Sequence, residues 1–145
     1  MAHLNRWPQS MYPKQELIEI STSQLEAQKG GALVTIDEFF DGNEDPNSIG
    51  CNLCDDHPGL AFFRQRLKEI EARADVTELW MEIYDWREGE WPFSENVLIR
   101  GSLDEETVKA LAEPLMPSEI WVRDVRVPHS RVTTLIGKIY NLWWD

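Results

Sequence analysis

The sequence predicts an α+β fold, a two-layer sandwich in which helices cover one face of a sheet, and three observations carry that expectation. Leu60, Phe63, Leu67 and Ile70 recur at the spacing that puts them on one face of a helix. Residues Val76–Trp86 instead alternate, with Leu79, Met81 and Ile83 on one side and Trp80, Tyr84 and Trp86 on the other, which is the period of a strand. The chain of 145 residues is long enough to bury a core without disulfide or metal, so residues 1–145 are read as a single globular domain.

In chain order, Gln15–Ser21 alternates Leu17 and Glu19 against Ile18 and Ile20 and reads as a short first strand. Ser23 and Glu26 then have the spacing of a capping box for one helical turn, closed by Gly30 and Gly31. Thr35 and Glu38 repeat the device, with Gly42 as the stop. The long helix is placed at Pro58–Arg73: Pro58 suits a first turn, and Asp55 and Asp56 face the positive end of its dipole. After the strand at Val76–Trp86 comes a turn, REGEWPFSE, and a partner strand at Asn96–Gly101. Ser102 and Glu105 open a second helix, Leu103–Glu113, with Val108, Leu111 and Leu115 inward and Pro114 and Pro117 beyond it. A strand at Ser118–Val127, a loop at Pro128–Thr133 and a strand at Thr134–Asp145 complete the chain. This order resembles the ferredoxin-like βαββαβ plait with an extra C-terminal strand.

Phe39–Gly59 would then be an insertion before the long helix. A connection of that length is packed or functional in a compact domain. Its Asn, Asp, Ser, Pro and Gly residues are turn formers. Ile49 and Leu53 are expected to enter the core, with Cys51 at least partly buried between them.

Charge narrows the function. There are 26 acids against 14 bases, a net charge of −12. Such a surface repels phosphate backbones and anionic lipid, so neither nucleic acid nor membrane is an expected partner. A basic protein partner is weakly favoured. No apolar run of about 18 residues occurs, so no transmembrane helix is expected. The start MAHLNRWPQSMYPK has no apolar core of a signal peptide. Two cysteines in a chain with 42% hydrophobic residues fit a reducing, cytoplasmic setting.

Two groups of residues are candidate sites. The first is Cys51-x-x-Cys54-x-x-His57, two soft ligands and an imidazole. A tetrahedral zinc site needs a fourth ligand, which His129 or a carboxylate would have to supply. The competing view is that both cysteines are small buried residues anchoring the loop. A thioredoxin-like role is disfavoured because Asp55 and Asp56 oppose thiolate formation beside Cys54. A calcium loop begun by Asp41, Asn43 and Asp45 fails at Pro46 and Asn52, where Gly and Glu are needed. Nucleophile elbows, phosphate loops and dinucleotide fingerprints are missing, and His3, His57 and His129 are scattered. No catalytic residue is named and no cofactor is expected. The second group is aromatic: Trp80, Tyr84, Trp86, Trp91, Phe93 and Trp144 are read as one binding surface. Trp143 and Trp144 must point to opposite faces of a strand; one is expected in the core, and Trp144 is taken as the outer one.

FFDGNEDPNSIGCNL, HPG, WPFSENV and the closing LWWD together resemble a group of small uncharacterised bacterial proteins that carry FFxGN…SIGCNL…HPG and a terminal WWD. The resemblance implies a bacterial cytosolic protein with no known activity. The function read from the sequence is a non-enzymatic protein-interaction domain, of the inhibitor or immunity type, with an acidic, aromatic surface for a basic protein or a second copy of the chain. The alternative is a metal- or thiol-dependent enzyme built on Cys51, Cys54 and His57.

Overall fold

The structure, a computed structural model, describes residues 11–27, 30–127 and 135–145. Helix α1 (Met11–Ala27) leads into a short strand β1 (Ala32–Val34) and a short helix α2 (Ile36–Phe40). Two 3₁₀ stretches, Pro46–Ser48 and Cys51–Asp56, precede helix α3 (Leu60–Glu71). Strands β2 (Val76–Ile83) and β3 (Ser94–Gly101), helix α4 (Glu105–Ala112), and strands β4 (Glu119–Val127) and β5 (Leu135–Trp143) follow. The fold is α+β. Its sheet has five strands in the order β1-β2-β3-β5-β4, and every neighbouring pair is antiparallel.

The first strand expected at Gln15–Ser21 is instead the middle of α1. Its buried residues Leu17, Ser21 and Gln24 recur at i, i+4 and i+7, which is helical spacing. The short alternation of Leu, Ile and Glu was compatible with either period, and the longer element decides. The first strand is β1, paired directly with β2. A ferredoxin-like plait splits its first strand–helix–strand unit with a third strand, and this sheet does not. Gln24 explains how α1 sits beside β1. Its side-chain amide donates to the Leu33 carbonyl (2.8 Å) and accepts from the Leu33 N–H (2.7 Å). Helix and sheet edge are thereby joined, a way of covering an edge strand.

The main core forms as the apolar stripes require. Phe63, Leu67 and Ile70 of α3, with Val108 and Ala112 of α4, join Leu79, Met81 and Ile83 of β2, Val97 and Ile99 of β3, and Tyr140 and Leu142 of β5. The Thr35 capping box is present in full: Thr35 Oγ1 accepts from the Glu38 N–H, and Glu38 Oε1 accepts from the Thr35 N–H. The expected Ser102–Glu105 box is not. Ser102, just past the end of β3, donates its N–H to the carbonyl of Asp75, just before β2 (2.8 Å), so the helix starts later and Asp104 caps it by accepting from the Thr107 N–H (2.8 Å). Leu103, just before that cap, is buried beside Val108 in the core, the positions of a hydrophobic staple.

At the end of β5 the two indoles separate as strand geometry demands, but in the opposite sense to the expectation. Trp144 is the inner one, 2% exposed. Its indole N–H donates to the Leu115 carbonyl (2.8 Å), and its ring meets Phe63 edge-on at 5.7 Å. Trp143 is the outer one and meets Trp121 at 5.8 Å. The loop expected at Pro128–Thr133 lies outside the described residues, as do His3 and His129.

Candidate interaction surface

Residues that alternate with the core positions form the outer face of the sheet. Trp80 packs there on a small apolar cluster of Leu33, Leu98 and Ile139. Beside it runs a polar ladder across four strands. Arg123 of β4 reaches Glu82 of β2 at 3.2 Å and donates to Asn141 Oδ1 of β5 at 3.0 Å; Asn141 donates to Asn96 Oδ1 of β3 at 2.7 Å. Glu82 is only 4% exposed and Asn141 1%. A buried carboxylate survives because the guanidinium and this ladder answer its charge. Gly31 makes room for it: a Cβ there would collide with the Glu82 side chain. Glu78 is paired with Arg100 beside Trp80.

Tyr84 stands just past β2 and is 49% exposed. Its partial burial first, and then the negative charge of Glu82, push its phenol above the usual range. It opens an exposed run in which Asp85, Arg87, Glu88 and Glu90 all face solvent. Trp80 and Tyr84 thus lie on the outer side. Trp86 does not join them, since it packs against the main core. Trp91 is 6% exposed and belongs to that core too, and Trp144 is inside it. Phe93 is half-buried and lines a groove below the acidic run. The sequence reading names neither Trp121 nor Arg123, although the alternation of β4 was a signal for both, and it gives Trp144 the outer place that Trp143 holds.

Phe39–Gly59 is a packed segment. Phe39 and Phe40 are buried and meet edge-on at 4.9 Å. The Asn43 amide donates to Ser48 Oγ (2.8 Å), Asn43 Oδ1 accepts from the Asp45 N–H, and Asp45 Oδ1 accepts from the Asn47 N–H (both 2.9 Å). Ile49 is 1% exposed and bridges to Ser94, and Leu53 packs on the core. Cys51 departs from the expectation: it is exposed, as is Cys54. The cause is Gly50, whose φ of 65° turns the chain there and where a Cβ would press on Phe63 and Leu53. Residue 51 therefore leaves the core just after Ile49 has entered it.

His57 is held by both ring nitrogens. Nδ1 accepts from the Gly59 N–H at 2.9 Å, which makes Nε2 the protonated nitrogen donating to the Ile49 carbonyl at 2.7 Å. Both ring nitrogens are thus engaged by backbone groups rather than by Cys51 or Cys54. Among the described residues no three His, Cys, Asp or Glu side chains gather as a metal set. His57 is a strut between the loop and α3, its ring tilted against Phe63 at 5.1 Å. Among the described residues no helix is long and apolar enough to cross a membrane.

The segments FFDGN, SIGCNL, HPG, WPFSENV and LWWD come together at one end of the molecule. Ile49 bridges Ser94, His57 binds Ile49, Phe63 touches His57 and Trp144, and the Trp144 N–H donates to the Glu95 carbonyl (3.0 Å). Comparison with known proteins agrees in kind. A family model described as the uncharacterised protein YfbO family matches residues 12–135. A protein of Escherichia coli (strain K12) named uncharacterised protein YfbO is 29% identical over 116 residues, covering 78% of this chain and 82% of that protein. No solved structure matches.

Proposed function

We propose, for a chain that belongs to the YfbO family of uncharacterised bacterial proteins, a non-enzymatic role: it acts as a single cytoplasmic domain that binds a basic protein partner, as an inhibitor or immunity-type protein does. The observation that carries this reading is Tyr84, an aromatic ring 49% exposed at the head of the exposed acids Asp85, Glu88 and Glu90. Tyr is a favoured interface anchor because its ring gives contact area and its hydroxyl a hydrogen bond. Carboxylates around such an anchor favour a cationic partner and speed its approach. The net charge of −12 acts in the same direction at long range. Behind Tyr84 the Glu82–Arg123–Asn141–Asn96 ladder gives the anchor a rigid base. Trp80, Trp121 and Trp143 extend the aromatic area on the same side of the sheet.

Immobilised protein tests the reading. Wild type is expected to retain one basic protein at stoichiometric amounts from a bacterial lysate, with retention falling as salt rises. Tyr84→Ala and a combined Asp85→Asn, Glu88→Gln, Glu90→Gln variant should each lose it. Equal retention by all three proteins would remove Tyr84 and its acids from the interface.

A further inference from the structure

We propose that Cys51 is a modification site for a small zwitterionic thiol, delivered as its disulfide, and that Cys54 is the resolving sulfur. It is argued from a different observation than the partner surface, although the two share Glu90. An open cavity of about 450 Å³ lies between the 45–51 loop and the 87–95 turn, and Cys51 is in its wall. Cys51 is therefore both exposed and part of the lining of a concave site large enough for a small peptide-like molecule. The same wall carries Arg87, which makes no ion pair among the described residues, and the carboxylates of Asp45, Glu90 and Glu95. A guanidinium and carboxylates around one thiol suit a molecule that carries both a carboxylate and an ammonium group. A purely cationic or anionic ligand would meet a like charge.

Cys54 is exposed, three residues on, and its Sγ lies 4.0 Å from the Cys51 carbonyl oxygen. Its backbone is at φ 50°, ψ −119°, a conformation that residues with a side chain rarely adopt. Cys54 is exposed but is not among the cavity residues, so a disulfide seated in the cavity meets Cys51 first.

The chemistry balances without a further reagent. The Cys51 thiol gives its proton to water and its sulfur attacks one sulfur of the small disulfide. The small S–S bond breaks, the Cys51–small-thiol bond forms, and one small thiolate leaves and is protonated. Cys54 then loses its proton and attacks the Cys51 sulfur; the bond from Cys51 to the small thiol breaks, the second small thiolate leaves and takes up that proton, and a Cys51–Cys54 disulfide is closed. Two protein thiols are oxidised and one small disulfide is reduced to two thiols.

Glutathione disulfide added to the reduced full chain, followed by intact mass and peptide mapping, is the test. Wild type is expected to end lighter by two hydrogens, with Cys51 joined to Cys54. Cys54→Ser should accumulate one glutathione adduct at Cys51. Cys51→Ser should react at Cys54 about tenfold more slowly, because that sulfur lies outside the cavity. In the Cys54→Ser background, Arg87→Gln should slow the reaction with glutathione disulfide but not with the uncharged 2-hydroxyethyl disulfide. No adduct on Cys54→Ser, equal rates for the two single-cysteine variants, or equal effects of Arg87→Gln on both reagents would each overturn the proposal.

Discussion

Gln24 and Asp37 show how single side chains hold the N-terminal part of the chain in place. Gln24 is 6% exposed and supplies both bonds that tie α1 to Leu33. Gln24→Leu keeps the volume and removes both, so unfolding in urea should show a loss of about 1–3 kcal/mol. An unchanged midpoint would mean that the helix is held by apolar contact alone. Asp37 receives Lys68 at 2.9 Å and Arg64 at 2.9 Å, and Arg64 also reaches Asp41 at 2.6 Å. Lys68 first, and then Arg64, hold the Asp37 carboxyl below its usual range. A carboxyl lowered in the folded state stabilises it above the ordinary aspartate range, and that contribution disappears as pH falls through the lowered value. Asp37→Asn should therefore be less stable than wild type near neutrality and indistinguishable from it in strong acid. With the side chain 52% exposed, the difference should stay below about 1 kcal/mol. Melting both proteins across that pH range checks it; a gap that persists in acid would assign the effect to something other than charge. At this scale the sequence was legible where a residue acts on its own neighbours, as Asn43, Asp45 and Thr35 do. It was not legible for Cys51, whose direction depends on the left-handed turn at Gly50 and on Phe63 thirteen positions later.

Elements with long apolar stripes were readable for the same local reason. The α3 stripe of Phe63, Leu67 and Ile70 is buried as its spacing required, with Leu67 fully inaccessible. Leu67→Ala should cost about 2–5 kcal/mol, since the lost transfer energy is joined by a cavity that rigid neighbours cannot fill. A melting temperature equal to wild type would show the stripe to be surface-facing. The alternation of Val76–Trp86 marks β2, and the strands expected at Asn96–Gly101, Ser118–Val127 and Thr134–Asp145 coincide with β3, β4 and β5 to within two residues at each end. Helix α1 was missed because Ile18 and Ile20 gave a strand-like rhythm to a segment whose true anchors include Ser21 and Gln24, polar residues that no hydropathy pattern counts as core. The α4 cap was displaced because the Ser102 N–H is engaged by Asp75, a partner that sequence spacing cannot show.

Across the whole molecule, the missed helix changed the topology. With the first strand moved to Ala32–Val34 and paired directly to β2, the sheet follows the chain from β1 to β3 and then takes β5 before β4. Helices still cover one face, so the division into an inner and an outer side was legible even though the strand order was not. That division is what leaves Tyr84 outside with Trp80 and sends Trp144 inside. The same arrangement keeps Asp85, Glu88 and Glu90 on a connection between two paired strands, where they face solvent while Trp86 packs on the core. The most direct test of the partner-binding role is photo-cross-linking in the bacterial cell, with a benzophenone amino acid placed at Tyr84 or, as a control, at the exposed Gln65 on α3. The expected result is one discrete adduct with a basic protein from position 84, diminished when Asp85, Glu88 and Glu90 are neutralised, and none from position 65. Equal adducts from both positions, or none from position 84, would contradict it.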